Sequence, residues 1–271
     1  IFLYFQNGRY NFIGVNGDEY PTKMPMDSSA VSFSVEAQQL LNGIGCTLFA
    51  TAEDELRPIM NGIFMDIFED SVSFVASDTH KLVRFKNQGI APGVRAAFIL
   101  PKKPANLLKA ILPKESGKVE LAFDSKNACF KLSDFVLNCR LIEGNYPNYN
   151  SVIPTNNPNR LIIDRALFVN VLRRVSGLAK LQLKNGELVV STENKDYSIS
   201  AEEKVACNYT GDDLTIGFKA SFLIEILNNI SATEVLVELS DPTRAGVILP
   251  LENKENEDLL MLLMPMMLSD F

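Results

Sequence analysis

Apolar and polar residues follow one order of predicted elements in two blocks of this chain, 33–154 and 161–268. Each block opens with a short strand and an amphipathic helix, whose apolar residues recur every three or four positions. This first stripe comprises Leu40, Leu41 and Ile44 in one block, and Phe168, Val169 and Leu172 in the other. The shared order predicts two copies of one structural unit.

Strands follow this first helix in both blocks. They are predicted over 63–68 and 69–75 in the first block, and over 178–183 and 185–190 in the second. Asn185-Gly186 is a strong signal for a tight hairpin between strands. Each block is therefore predicted to contain an antiparallel pair.

A second amphipathic helix comes later in each block. Its apolar stripe comprises Leu107, Leu108, Ile111 and Leu112 in the first block, and Leu223, Ile226, Leu227 and Ile230 in the second. Strands are predicted directly afterwards, over 118–123 and 234–239. The unit is β-α-β-β…α-β-β-β, given twice, which predicts an α+β fold.

The copies differ after the first helix. Glu36 corresponds to Asp164, 128 positions later, but Gly62 corresponds to Gly177, only 115 positions later, a difference of 13. Either the second connection is short, or a mobile segment is absent from the sequence. We favour the second reading, because no turn is recognised that would end the helix near Arg174.

A partial third copy precedes the first block. Residues 17–21 (GDEYP) echo residues 144–147 (GNYP), so 9–25 are predicted to be the last hairpin of a preceding unit. Residues 3–6 (LYFQ) resemble part of a protease-cleavable tag or form a native strand, and are set aside. The predicted domains are a remnant at 1–26, a middle unit at 27–155 and a C-terminal unit at 156–271.

The C-terminal apolar run, 259–268, is predicted to be a buried strand. Proline cannot donate to a strand ladder, so the strand should break or lie at an edge at Pro265. Methionines on both sides of the break offer an adaptable surface of the kind that peptide-binding sites use.

Composition narrows the function classes. The net charge of -7 argues against a general nucleic-acid binder if the charge is evenly spread. The four cysteines show no metal-ligand spacing, so buried free thiols in a reducing cytoplasm are expected. No apolar run reaches the ~18 residues of a membrane span. We expect a cytoplasmic protein without a metal, a cofactor or a membrane partner.

The charges are in fact segregated by element. The predicted helices carry the basic residues, whereas acidic residues crowd onto strands and loops. A lysine on a helix is more often only solvated, but this segregation predicts a basic helical surface that contacts phosphates. The residues predicted to face DNA are Lys102, Lys103, Lys109, Arg173 and Arg174. They lack interleaved aromatic residues, so base stacking and groove readout are not predicted.

Four motifs resemble those of bacterial processivity clamps, the beta subunits of replicative DNA polymerases. They are 77–82 (SDTHKL), 143–149 (EGNYPNY), 216–218 (IGF) and 263–266 (LMPM). The resemblance covers 9–268, although the family prefers Gly at position 79 and Arg at position 81. It implies the DNA-clamp fold, with helices lining the pore of a ring and antiparallel sheets outside. The ring would be a head-to-tail homodimer around duplex DNA.

The resemblance also implies a hydrophobic cleft that binds linear peptides of polymerase, clamp-loader and repair proteins. Its residues would be Met60, Ser77, Thr79, His80, Lys81, Leu82, Pro147, Ser151, Val152, Lys219, Phe222, Thr243, Ala245, Leu262, Met264, Pro265, Met266 and Met267. Lys81, Ser151 and Met267 stand where many relatives carry Arg, so fewer polar contacts to a peptide are expected.

Glu202 and Glu203 resemble the acidic edge at which the last clamp domain meets the first domain of the partner subunit. Since most of a first domain is lacking here, we expect the chain to bind partners without closing the usual ring.

Two alternatives stay open. One is an α+β metal-dependent hydrolase that uses carboxylates such as Asp66 and Asp78. The repeated scaffold argues against it, because it leaves no acidic cluster with ligand spacing. The other is a repeat scaffold that never meets DNA. The only histidine, His80, has no recognisable nucleophile beside it, so we assign it to binding and expect no enzymatic activity.

Overall fold

The structure is a computed structural model that describes residues 1–20, 26–175, 177–194 and 199–268. The helices are α1 Ala37–Thr47, α2 Lys102–Ile111, α3 Arg165–Val175 and α4 Ala220–Asn228. The first ten strands are β1 Phe2–Phe5, β2 Gly8–Asn11, β3 Val31–Glu36, β4 Gly62–Ile67, β5 Val72–Ser77, β6 Lys81–Asn87, β7 Ala96–Pro101, β8 Lys118–Phe123, β9 Asn127–Lys131 and β10 Val136–Arg140. The others are β11 Asn159–Asp164, β12 Leu178–Lys184, β13 Glu187–Asn194, β14 Ile199–Ala206, β15 Asn208–Thr210, β16 Leu214–Lys219, β17 Glu234–Leu239, β18 Gly246–Pro250 and β19 Glu257–Leu263.

The repeat predicted from the sequence is confirmed. β3 to β10 with α1 and α2 form one unit, and β11 to β19 with α3 and α4 form the other. One part of the apolar stripe of α2 is wrong: Leu107 is 47% exposed, whereas Pro104, Ala105 and Leu108 are buried. Pro104 and Ala105 define the buried face, which turns Leu107 toward solvent.

Three larger sheets carry the two units, and all their strand pairs are antiparallel. A nine-stranded sheet runs through both units in the order β15-β11-β17-β18-β19-β6-β5-β4-β7. The units join where β19 pairs with β6, with Leu262 opposite Leu82. Four-stranded sheets, β10-β9-β8-β3 and β14-β13-β12-β16, complete the two units.

The strands at this join bury apolar residues on both faces of the sheet. On one face, Phe85 and Met261 pack into the large core that also contains the helix residues Leu40 and Leu223. On the opposite face, Leu82, Leu260 and Leu262 form a second, smaller cluster. Since successive strand residues point to opposite faces, one seam separates a helix-covered side from an outer side.

The N-terminal hairpin begins earlier than predicted. β1 pairs with β2 through Phe5 and Gly8, so the hairpin spans Phe2 to Asn11 rather than 9–25. Residues 3–6, set aside in the sequence analysis, belong mostly to β1. Residues 21–25 of the predicted segment lie outside the described part of the chain.

Gly177, directly before β12, has a backbone conformation that the sequence alone did not predict. α3 ends at Val175, and Gly177 adopts φ 78, the left-handed conformation that commonly ends helices. The amide of Ala220 donates to the Gly177 carbonyl oxygen over 2.8 Å, which ties this residue to the start of α4. Ser176, between these residues, lies outside the described part of the chain, so the expectation of an absent segment at this junction stays a prediction.

Two further features bear on the sequence predictions. The cysteines were expected to be buried, but all four are only half-buried. Among the helices that the structure describes, none is long and apolar enough to cross a membrane.

Candidate functional site

A tight turn between β5 and β6 forms one wall of the candidate site. The Asp78 carboxylate accepts hydrogen bonds from the amides of His80 (3.0 Å) and Lys81 (2.9 Å), and so caps the turn. This geometry places Thr79 at φ 76. A β-branched residue is strained there, which explains why glycine suits this position.

Lys81 leaves the turn toward the C-terminal unit. Its side chain is only 5% exposed, and its ammonium lies 2.6 Å from the Asp78 carboxylate and 3.1 Å from that of Glu225 on α4. It also lies 4.7 Å from the centre of the Phe222 ring. Burial disfavours the charge, but the hydrogen bonds to Asp78 and Glu225 outweigh it and hold the pKa of Lys81 above its usual value.

A cavity of about 240 Å³ opens beside this turn, on the outer face of the β6–β19 seam. Eleven predicted cleft residues line it: Met60, Ser77, Thr79, His80, Lys81, Leu82, Pro147, Val152, Ala245, Leu262 and Met264. The structure therefore brings together residues from both units around one mostly apolar cavity, the usual character of a ligand pocket.

Seven predicted cleft residues do not line this cavity: Ser151, Lys219, Phe222, Thr243, Pro265, Met266 and Met267. Phe222 lies just behind it, because its ring stacks on His80 with centroids 5.6 Å apart. Ser151 donates to the Asn148 carbonyl oxygen, and Thr243 binds Asp241.

Three residues that sequence reasoning missed also line the cavity: Tyr146, Asn148 and Tyr149. The Tyr149 hydroxyl donates to the buried Asp66 carboxylate over 2.8 Å, and Arg95 donates to the other oxygen over 2.6 Å. Burial, followed by the hydrogen bond to Asp66, raises the pKa of Tyr149 to about 12. The motif 143–149 contained these residues, but nothing in its spacing showed that both rings turn into the cavity.

The C-terminal segment closes the site. β19 ends at Leu263, as Pro265 predicted, and the Met264 amide then donates to the His80 carbonyl oxygen over 2.8 Å. Beyond the break, the Met266 amide donates to Gly217 over 2.8 Å. Met264 and Met266 therefore remain 47% and 41% exposed next to the cavity.

The basic residues on the helices fall into two groups. Lys103, Lys109 and Arg173 are exposed. Lys102 and Arg174 have acidic partners: Lys102 lies 2.6 Å from Glu53, and Arg174 forms two hydrogen bonds with Glu203 on β14. Two charges that the sequence assigned to different surfaces, DNA-facing Arg174 and edge residue Glu203, thus bind each other.

A second, larger cavity of about 560 Å³ lies on the helix-covered side of the seam, between α1 and the end of α4. Its lining mixes the cations Lys109 and Lys254 with the anions Glu252 and Glu257. These opposite charges point to no single ligand.

The carboxylates of the hydrolase alternative do not meet. Asp66 pairs with Ser73 on β5, so roughly 15 Å of strand separates it from Asp78. Asp66 binds Arg95 and Tyr149, whereas Asp78 caps the turn and binds Lys81. The structure gives this alternative no support.

Comparisons with known proteins agree with this arrangement. Residues 34–148 match the family model of the DNA polymerase III beta subunit central domain, and residues 150–267 match that of its C-terminal domain. The beta sliding clamp of Treponema pallidum is 30% identical over 89% of this chain and 67% of its own length. That of Synechococcus elongatus is 28% identical over 90% of this chain and 68% of its own length.

A solved structure shows the same fold. The sliding clamp from Bartonella birtlesii, bound to griselimycin, superposes with a TM-score of 0.89 at 29% identity, over 96% of this chain and 72% of that one. Sliding clamps are processivity factors of DNA polymerase without catalytic activity of their own. The chain belongs to the DNA polymerase III beta subunit family, the bacterial beta sliding clamps.

Proposed function

We propose that this clamp docks linear peptides of DNA polymerase and clamp-loader subunits in the 240 Å³ cavity at the seam between its units. The observation that carries the proposal is the convergence of His80, Leu82, Leu262 and Met264 from two units on one apolar cavity. The griselimycin complex of the Bartonella birtlesii clamp supports ligand binding in this family.

The DNA-binding surface is proposed to be the helix-covered side. Its cations are Lys103, Lys109 and Arg173, which are exposed, together with Lys102 and Arg174, whose charges are paired with Glu53 and Glu203. Contact with phosphates alone suits a protein that must slide, because such contacts are weak and independent of base sequence.

For the intact ring, the assembly is proposed to be a head-to-tail homodimer of full-length chains around duplex DNA in the cytoplasm. The units of this chain are proposed to span 27–155 and 156–271. One edge of β14 pairs with no strand among the described residues, which supports this arrangement, because an open strand edge can pair with another chain. Glu202 and Glu203 lie on that strand.

The cleft is tested with a fluorescent peptide that carries a Gln and a terminal Leu-Phe pair. We expect micromolar binding, about -8 kcal/mol, by fluorescence polarisation. Met264→Ala should weaken binding several-fold, because it removes an apolar wall of the cavity. Met267→Ala is the matched control, since Met267 is exposed and does not line the cavity. Equal affinities of wild type and Met264→Ala would contradict the proposal.

A further inference from the structure

Charges are sparse in the cleft. Among the described residues that line the cavity, Lys81 is the only Lys, Arg, Asp or Glu. The other lining groups are apolar side chains, hydroxyls, one amide and the His80 imidazole. The charge preference of the cleft therefore depends on whether the Lys81 ammonium is available to a ligand.

The Lys81 ammonium already has charged and aromatic partners within the protein. Two carboxylates hold it, Asp78 at 2.6 Å and Glu225 at 3.1 Å, and the face of Phe222 covers it at 4.7 Å. With 5% of its side chain exposed, it has little surface left for a peptide carboxylate. A peptide acid would also meet two protein acids beside the single cation.

A second cation restores the balance of charge without entering the cavity. Lys219 is exposed, and its ammonium lies 4.5 Å from the centre of the Phe222 ring. Lys81 with its partners Asp78 and Glu225, together with Lys219 on the same aromatic ring, makes a group of two cations and two anions. These four side chains together carry no net charge, so they favour neither an acidic nor a basic peptide.

We propose that this cleft gives no preference to acidic over neutral peptide segments, and that Glu225 determines this charge selectivity by binding Lys81 from the neighbouring unit. The proposal rests on peptide docking in the cavity. An acidic residue next to the peptide's apolar anchors would lose hydration without gaining a free cation, so it should add no affinity. Binding comes instead from apolar area removed from water.

Glu225 is a suitable residue for the test because it lies on α4 and does not line the cavity. Replacing it with Gln keeps the side-chain shape and leaves Lys81 with Asp78 alone. The apolar walls remain unchanged. With one carboxylate removed, the charges around Lys81 and Lys219 sum to a net positive charge, which attracts a peptide carboxylate in the cavity.

The experiment compares two fluorescent peptides that share the Gln and the terminal Leu-Phe pair. One carries Ser beside the anchors and the other carries Asp. For wild type we expect equal affinities within about twofold, with little change from about 0.05 to 0.5 M salt, since no screened ion pair forms. For Glu225→Gln we expect the Asp peptide to bind about threefold more tightly than the Ser peptide, as for a partly exposed ion pair. That preference should fade at high salt.

Glu252→Gln is the matched control, because it removes the same charge at an exposed position on the other cavity. It should leave the ratio of the two affinities unchanged. A clear preference of wild type for the Asp peptide, or an unchanged ratio in Glu225→Gln, overturns the selectivity while peptide docking stands. Failure of both peptides to bind wild type overturns peptide docking itself. The wild-type comparison needs no variant, so it decides even if Glu225→Gln fails to fold.

Discussion

Thr79 has a strained backbone conformation that hydrogen bonds within the turn maintain. Its φ of 76 is held by the Asp78 cap and by a hydrogen bond from its own amide to the Ser77 hydroxyl oxygen, 3.2 Å long. A residue with a β-carbon pays about 1–2 kcal/mol in this conformation. The strain lies next to His80, in the wall of the cleft, where the backbone must turn sharply to present that ring.

Thr79→Gly should stabilise the protein. Relief of about 1–2 kcal/mol of strain exceeds the extra conformational entropy of glycine, about 0.5–1 kcal/mol, so a net gain of about 0.5–1 kcal/mol is expected. Urea denaturation measures it. Thr79→Ala keeps the β-carbon and should show no such gain; an equal gain in both variants would mean that strain is not the cause.

Tyr149→Phe should destabilise the protein by about 1 kcal/mol at pH 8, because Asp66 loses a buried hydrogen bond. The folded-state pKa of Tyr149, about 12, lies above its unfolded value of about 10. The stabilisation from neutral Tyr149 is therefore complete below pH ~10 and is lost as the pH rises through ~12.

The measurement is the unfolding free energy of wild type and Tyr149→Phe between pH 8 and about 12. The difference between them should shrink over the last two pH units. Tyr10→Phe, at an exposed position of the hairpin, is the control. It should leave the unfolding free energy unchanged across the pH range. A constant difference across the range would contradict the assignment.

At the scale of elements, the position of the C-terminal segment depends on a glycine in β16. A β-carbon on Gly217 would lie 2.6 Å from the Leu268 side chain and 3.0 Å from the Met266 carbonyl oxygen. The segment that carries Met264 and Met266 can lie against β16 only because this position is glycine. The sequence showed a glycine before a helix but gave no sign of what approaches it.

Gly217→Ala should displace that segment, with a loss of about 1–3 kcal/mol in stability and weaker peptide binding. Gly45→Ala on α1 is the contrasting variant, because no atom lies within 4 Å of its added β-carbon. It should be neutral or stabilising by about 0.5–1 kcal/mol. Thermal unfolding and fluorescence polarisation give both quantities. Unchanged peptide affinity in Gly217→Ala would mean that this segment does not contribute to peptide binding in the cleft.

A second prediction at the scale of elements concerns the lysines on the helices and the affinity for DNA. Changing Lys102, Lys103 and Lys109 together to Gln should lower the affinity for duplex DNA and flatten its salt dependence, by up to about 0.9 in slope per lost phosphate contact. The strand residues Lys118, Lys131 and Lys204, changed in the same way, remove equal charge and should have less effect. An equal loss of affinity in both triple variants would contradict the assignment of the DNA-binding side.

At the scale of the whole molecule, the sequence predicted the helices and strands whose apolar residues recur at a regular period. The strands at 118–123 and 234–239 coincide with β8 and β17, in which apolar residues at every second position join one core: Val119, Leu121 and Phe123 in β8, and Val235, Val237 and Leu239 in β17. Contacts between distant parts of the chain could not be predicted in this way. Lys81 was expected to meet a peptide, but its partner Glu225 lies in the other unit, and only the β6–β19 seam brings the two together.

The same limit explains the uneven outcome for the cleft. Residues on β6 and β19 and in the neighbouring turn, which the family resemblance implied for the cleft, line the cavity, and their role in binding a peptide stays a prediction. Tyr149 and its hydrogen bond to Asp66 were missed, since a buried pair between distant segments leaves no local pattern. The two faces of the seam nevertheless give the molecule two separate surfaces, helices on one side and the cleft on the other.

A crystal structure of this chain with the Gln- and Leu-Phe-containing peptide tests the central claim most directly. The account predicts that the peptide's Leu and Phe side chains lie in the 240 Å³ cavity, against Leu82, Leu262 and Met264. The Lys81 ammonium should stay between Asp78 and Glu225. A peptide bound at another surface, with this cavity empty, would contradict the account.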